Sequence, residues 1–198
     1  MTNRMFSRMA VLIAASAMIG LAAPALAQDS EYTAQLTELA SGKLHDIAQD
    51  PALVSAIMAQ NQQTAGYDQA KIDALDKQWR AEVDAADKPL INATLGTEAS
   101  QYLSKVQADS AGLFTEIFAT DAKGLNVAQS TITSDYWQGD EDKFSKSFGV
   151  GADAVFLGEI EQDESTQAYQ SQVSITITDP ASGAPIGSIT AGIDLSSL

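Results

Sequence analysis

The 198-residue sequence contains no cysteine, one histidine and five prolines. Without cysteine there is no disulfide, no thiolate metal site and no cysteine nucleophile. The single histidine, His45, excludes a multi-histidine zinc site and leaves a Ser-His-Asp triad only one possible base. Positive charge is scarce: 11 Lys+Arg stand against 26 Asp+Glu, for a formal net charge of −15. That balance argues against sequence-independent binding of nucleic acid, which needs lysine and arginine to neutralise phosphates, and against docking on anionic lipid. After the N-terminal stretch no apolar run approaches the length of a membrane span. With 45% hydrophobic residues, the chain still has enough apolar surface for a core of its own.

The N-terminus has the pattern of a secretory signal. Arg4 and Arg8 form a positive start, and Met9 to Leu21 is almost wholly apolar but too short to span a bilayer comfortably. Pro24 is expected to break the helix, and Ala25-Leu26-Ala27 ends in a small-residue cleavage pattern before Gln28. Removing residues 1–27 leaves 171 residues with 9 Lys+Arg against 26 Asp+Glu, a net charge of −17, and Arg80 as the lone arginine. The expected product is a soluble periplasmic protein held by its core alone.

The next segment, 28–109, reads as helical. Tyr32, Leu36, Leu39, Leu44 and Ile47 fall roughly on one helix face from Glu31 onward. Asp50-Pro51 predicts a cap and first turn of a second helix. A third helix is predicted from Asp68, with Ile72, Leu75, Trp79 and Val83 spaced three or four apart. Ala86 to Gly96, containing Pro89, reads as a loop, and Thr97 to Asp109 as a short helix. From about residue 110 the pattern changes. Gly112 to Thr120 and Leu125 to Ser130 read as two strands joined by the turn Asp121-Ala122-Lys123-Gly124. Thr131 to Gly139 is irregular, and Asp140 to Phe148 reads as a short helix with acids in its first turn. Strands are predicted at Asp153 to Ile160, Ala168 to Thr178 and Ile186 to Leu195, with Gly187 and Gly192 thinning the last. Helices followed by strands with short turns imply an α+β fold with an antiparallel sheet. The expected division is a leader at 1–27, a helical region at 28–109 and a sheet at 110–198, the last two forming one structural domain.

Three stretches carry a resemblance. Phe114 to Gly124 (FTEIFATDAKG) resembles the central hairpin of Cache (PDC) domains, the extracellular PAS-like sensor domains of bacterial receptors. Thr131 to Glu141 (TITSDYWQGDE) is similar to the pocket-side segment of that family. Gly158-Glu159-Ile160, Asp163 to Thr166 and Ile175 to Gly187 are similar to its last strands. The resemblance covers about residues 110–198, and residues 31–109 only as helical pattern. It implies a five-stranded antiparallel sheet with a long N-terminal helix along its back. It also implies a small-molecule pocket between the sheet and the loops joining its second and third strands. Such domains are usually flanked by transmembrane helices and followed by a signalling module. This chain instead stops at Leu198, so the expectation is a free-standing, non-enzymatic binding domain acting through a membrane receptor or other partner. The competing expectation is a module that has lost its ligand and only docks on such a receptor.

Candidate ligand-binding residues follow. Asp135, Tyr136 and Trp137 lie together in an irregular segment after a strand, where binding groups concentrate. Two aromatics and a carboxylate suit a ligand ammonium, though Tyr136 and Trp137 are equally placed to cap the sheet. Thr131, Thr133 and Ser134 add hydroxyls, and the resemblance adds Tyr169 and Asp163 at the pocket mouth. Tyr169 also reads as an ordinary strand residue, and Asp163 as part of an acidic turn. Family members that bind amino acids carry an arginine before the pocket tryptophan; none precedes Trp137 here, which favours a cationic or neutral small polar metabolite. Arg80 is expected in an ion pair with nearby acids such as Asp76 rather than as a carboxylate clamp. Asp140, Glu141 and Asp142 lack the spacing of a calcium loop and read as first-turn acids. No catalytic residue, metal or cofactor is expected.

Overall fold

A computed structural model describes residues 23–162 and 168–198, with side chains from Glu31 onward. The expected leader therefore lies largely outside the described residues, as does Asp163. Helix α1 (Ala23–Leu39) continues through a π-helical turn, Ala40–Leu44, into α2 (His45–Ala48). Pro24 is the second described residue of α1, and the apolar stretch it was expected to terminate lies outside the described residues. Leu36, Leu44 and Ile47 bury the inner face of this rod, and His45 is exposed.

Local chemistry sets the next boundaries. The Asp50 carboxylate accepts from Ala52 N at 2.9 Å and starts α3 (Pro51–Thr64). Asp68 accepts from Lys71 N and starts α4 (Gln69–Val83), while Thr97 accepts from Ser100 N and starts α6 (Glu98–Ala108). Between them, residues Pro89–Leu95 form helix α5, where a loop was expected. The cap of α5 is not local. Glu82, on α4, accepts from Leu90 N at 2.8 Å and Ile91 N at 3.0 Å, so a buried carboxylate supplies acceptors to the helix start.

The sheet is antiparallel. It comprises β1 (Phe114–Asp121), β2 (Asn126–Gln129), β3 (Val155–Leu157), β4 (Glu161–Gln162), β5 (Tyr169–Thr178) and β6 (Pro185–Asp194). Their order is β2-β1-β6-β5-β3, with β4 also paired to β5. The expected five strands become six because the strand predicted at 153–160 is shorter and is followed by β4 on the same edge of β5. At Gly158, between β3 and β4, the amide donates to Gln172 O at 2.7 Å, and a Cβ would meet Gln172 N at 3.2 Å. A short helix, α7 (Asp142–Ser145), lies in the long connection from β2 to β3.

The two faces of the sheet differ. Ile117, Ala119, Val173, Ile175, Ile177, Ile189 and Ile193 pack against Leu36, Leu44, Leu53, Ile57 and Leu103 to form the main core. Each fully buried Val, Leu or Ile among them contributes about 1.5–3 kcal/mol on burial. The opposite face is polar yet largely buried: Thr120 and Ser188 share a 2.8 Å hydrogen bond, as do Ser174 and Thr190. The β2–β3 connection covers it, and Thr176 Oγ1 donates to Gly151 O at 2.6 Å.

Candidate functional site

Residues 131–138 form a compact knot against α4. Trp79 is fully buried, donates from Nε1 to Thr133 O at 2.8 Å and stacks on Tyr136 with ring centroids 5.2 Å apart. One carboxylate oxygen of Asp76 accepts from both Tyr136 N at 2.9 Å and Trp137 N at 3.1 Å. Arg80 pairs with Asp76 at 2.7 Å and with Asp135 at 2.7 Å, and the hydrogen bond to Asp76 holds its guanidinium above the ordinary arginine value. The Thr133 hydroxyl donates to Asp135 O at 2.7 Å and accepts from Asn126 Nδ2 at 2.9 Å. Trp137 Nε1 donates to Lys123 O at 2.8 Å, and its ring lies where a Cβ on Gly139 would fall. Burial pushes the Tyr136 phenol well up, with the Asp121 charge adding to the shift. Together with Ile72, Ile91 and Leu125, these aromatics make a second hydrophobic cluster.

Of the other expected ligand residues, Thr131 and Ser134 are exposed beside this knot, and Ser134 Oγ donates to Asp135 Oδ2 at 3.0 Å. Tyr169 is 51% exposed at the start of β5, opposite Gln162 of β4. The structure thus brings Thr133, Asp135, Tyr136 and Trp137 together, and it places Tyr169 elsewhere on the sheet.

A cleft of about 610 Å³ opens on the polar face of the sheet, roofed by the start of the α7 segment. Its floor comes from Thr115 and Glu116 of β1, Gln170, Ser171 and Gln172 of β5, and Gly192 of β6. Its edge is Phe156 to Glu159 together with Glu161, and its roof is Glu141, Asp142, Lys143 and Lys146. Neither the knot nor Tyr169 contributes to this lining. Sequence reasoning passed over these residues because they come from five separate stretches. One signal was present. Gly192 is required because β1 carries an irregularity between Phe114 and Glu116, where two side chains point toward the same place on β6. A Cβ at Gly192 would lie 2.4 Å from Thr115 Oγ1 and 3.1 Å from Glu116 Cγ. Such bulges re-aim side chains, here toward the cleft.

The cleft is acidic. Five carboxylates (Glu116, Glu141, Asp142, Glu159 and Glu161) face two ammonium groups, Lys143 and Lys146. Lys143 pairs with Glu141 at 2.8 Å and Lys146 with Asp142 at 2.7 Å. Among the described residues no cationic side chain pairs with Glu116, Glu159 or Glu161. Glu116 accepts a long hydrogen bond from Gln172 Nε2 at 3.4 Å. No cluster of metal-ligating side chains occurs among the described residues, and none of their helices is long and apolar enough to cross a membrane.

No protein-family model and no curated protein matches the sequence. Solved structures do show a likeness. The sensor domain of the V. cholerae histidine kinase DctB is 15% identical over 87% of this chain and 58% of that one, with a TM-score of 0.44. The ligand-binding domain of the Pseudomonas aeruginosa PAO1 amino acid chemoreceptor PctC, in complex with GABA, is 14% identical over 81% and 62%, at 0.40. The sensory domain of the Campylobacter jejuni chemoreceptor Tlp3 with isoleucine bound is 15% identical over 88% and 64%, at 0.35. These neighbours are sensor and ligand-binding domains of receptors, the class that the sequence resembles. The chain spans about three fifths of their length. At these identities and TM-scores, no ligand or partner is carried over to this chain.

Proposed function

We propose that this chain is an exported periplasmic sensor domain that binds a small polar metabolite without turning it over and reports occupancy to a membrane receptor or other partner. The observation that carries the reading is the cleft between the polar sheet face and the α7 segment. Its volume suits a small molecule, since such sites typically enclose about 300–1,000 Å³. Its floor offers amide and hydroxyl groups from rigid strands, which is where selective contacts are best held. Binding, rather than nucleophilic catalysis, fits the lining: it has no histidine, and Ser171 Oγ is already committed to Gly158 O at 2.9 Å. A ligand between floor and roof contacts both the sheet and the short α7 segment, so it can bias the position of that segment by differential contact. In this reading the knot at 131–138 fixes the start of the connection that forms the roof.

The test is a thermal-shift screen of the purified protein against organic acids, amino acids, amines and purines, repeated with Glu116→Gln and Gln172→Ala. A ligand well above its Kd raises the Tm by mass action. The expected result is a class of compounds whose shift is reduced by both variants. A shift untouched by both, but abolished by Ser134→Ala or Asp135→Asn, moves the site to the knot. No shift with any compound leaves the domain as a docking module.

A further inference from the structure

We infer that Lys146 is a tethered occupant of the cleft, and that the ligand displacing it is a small organic cation bearing a protonated amine or quaternary ammonium. The inference deepens the binding reading above and rests on it. Lys146 Nζ lies 5.6 Å from the centroid of the Phe156 ring and 2.7 Å from Asp142 Oδ2. All three residues line the cleft. An aromatic face beside a carboxylate is the chemistry that recognises an ammonium group, and here the protein's own side chain is using it.

The two lysines of the α7 segment are held differently. Lys143 is mostly buried, pairs with Glu141 and sits 5.5 Å from the centroid of the buried Phe118 ring. It anchors the segment to the sheet. Lys146 and Asp142 are both more than half exposed and form an i,i+4 pair, a type that holds weakly in water. The segment therefore has one fixed ammonium and one releasable one. When Lys146 leaves, Phe156 and Asp142 become available beside Glu116, Glu159 and Glu161, which have no cationic partner among the described residues. A cation is attracted by every one of these five groups lining the cleft. An anion would have to face those carboxylates and draw Lys143 or Lys146 away from the carboxylate each already pairs with. Displacement also gives occupancy a structural consequence, because it frees the end of α7 from β3 while Lys143 still holds its start.

The experiment is isothermal calorimetry of the full protein with tetramethylammonium, 1,4-diaminobutane and, as an anion of similar length, succinate. Each is titrated into the wild type, Lys146→Met, Lys146→Arg and Lys71→Met. Lys71, on α4 and over the ring of Tyr67 just before that helix, controls for loss of a lysine from an aromatic face outside the cleft. Removing a built-in competitor raises the apparent affinity by the fraction of sites it occupied, so Lys146→Met is expected to bind the cations about threefold to tenfold tighter. Lys146→Arg and Lys71→Met are expected to stay within about twofold of wild type, because one keeps the competitor and the other never had it. Equal cation affinity in Lys146→Met and wild type, or an equal gain in Lys71→Met, overturns the tethered-occupant inference while the cleft reading survives. Binding of succinate but of neither cation overturns the ligand class alone. No binding of any probe to any variant overturns the inference, and the compound screen above then decides the cleft reading separately.

Discussion

The knot around Trp79 and the cleft beneath α7 contain the same kinds of side chain in opposite states. Each has at least one aromatic ring, two or more carboxylates and at least one cation. In the knot, Asp76 accepts from two backbone amides and from Arg80, Asp135 is paired with the same guanidinium, and both tryptophan N–H groups donate to carbonyls. In the cleft, three glutamates have no cationic partner among the described residues and one lysine is held by an exposed pair. The residue types that suggest a binding site are thus equally suited to a structural joint. What separates the two is charge left unpaired after folding: the carboxylates of the knot are tied to Arg80 and its unsatisfied atoms, Asn126 Oδ1 and Gln129 Nε2, are buried neutral amides, whereas three glutamates of the cleft face open space without a cationic partner among the described residues.

That contrast can be broken in graded steps. Trp79→Ala removes a fully buried indole, its stack on Tyr136 and the donor to Thr133 O. It is expected to lower stability by about 3–5 kcal/mol, measured by urea denaturation. Asp76→Ala strands two backbone amides and removes one of the two carboxylates paired with Arg80, and is expected to cost about 1–3 kcal/mol. Glu82 gives a pH-dependent step. Burial by itself would raise its pKa, but hydrogen bonds from Gln78, Ile91 and Leu90 outweigh that and bring it below the usual glutamate value. A folded-state pKa below the unfolded one adds stability that is complete above the unfolded value, about pH 4.3, and is lost as the pH falls through the lower folded value. The urea midpoint of the wild type is expected to drop over that acidic window more steeply than that of Glu82→Gln. Glu116→Gln is the smallest change to the fold, expected within about 0.5 kcal/mol of wild type because the group is not ion-paired. It is nevertheless expected to weaken cleft ligands in calorimetry. A large stability loss at Glu116, or none at Trp79, would erase the distinction between joint and site.

Much of the fold was legible because its signals are local. Asp50, Asp68 and Thr97 cap the helices that their positions suggested, and the turn after Asp121 closes with Gly124 at φ +80°. The alternation of Val173, Ile175 and Ile177 with Ser174 and Thr176 separated the two faces of β5 correctly. Helix α5 was not legible, because its cap is Glu82 from the preceding helix and Pro89 alone reads as an interruption. Nor was the burial of Ser174 and Thr176, since nothing in a strand announces that a polar connection will cover its hydrophilic side. The acids of Asp140 to Asp142 read as first-turn charges, and Glu141 and Asp142 do pair with lysines of the α7 segment. Their position over the sheet depends on strands 15 to 50 residues away in sequence, which no local pattern encodes.

The central claim is that ligand enters the cleft and leaves the knot undisturbed. Backbone amide spectra of the isotopically labelled protein, recorded during titration with 1,4-diaminobutane, test it most directly. The largest shifts are expected at Glu116, Lys146, Phe156 and Gln172, with Thr133, Tyr136 and Trp137 unmoved. Shifts concentrated at residues 131–137, with the cleft silent, would contradict it.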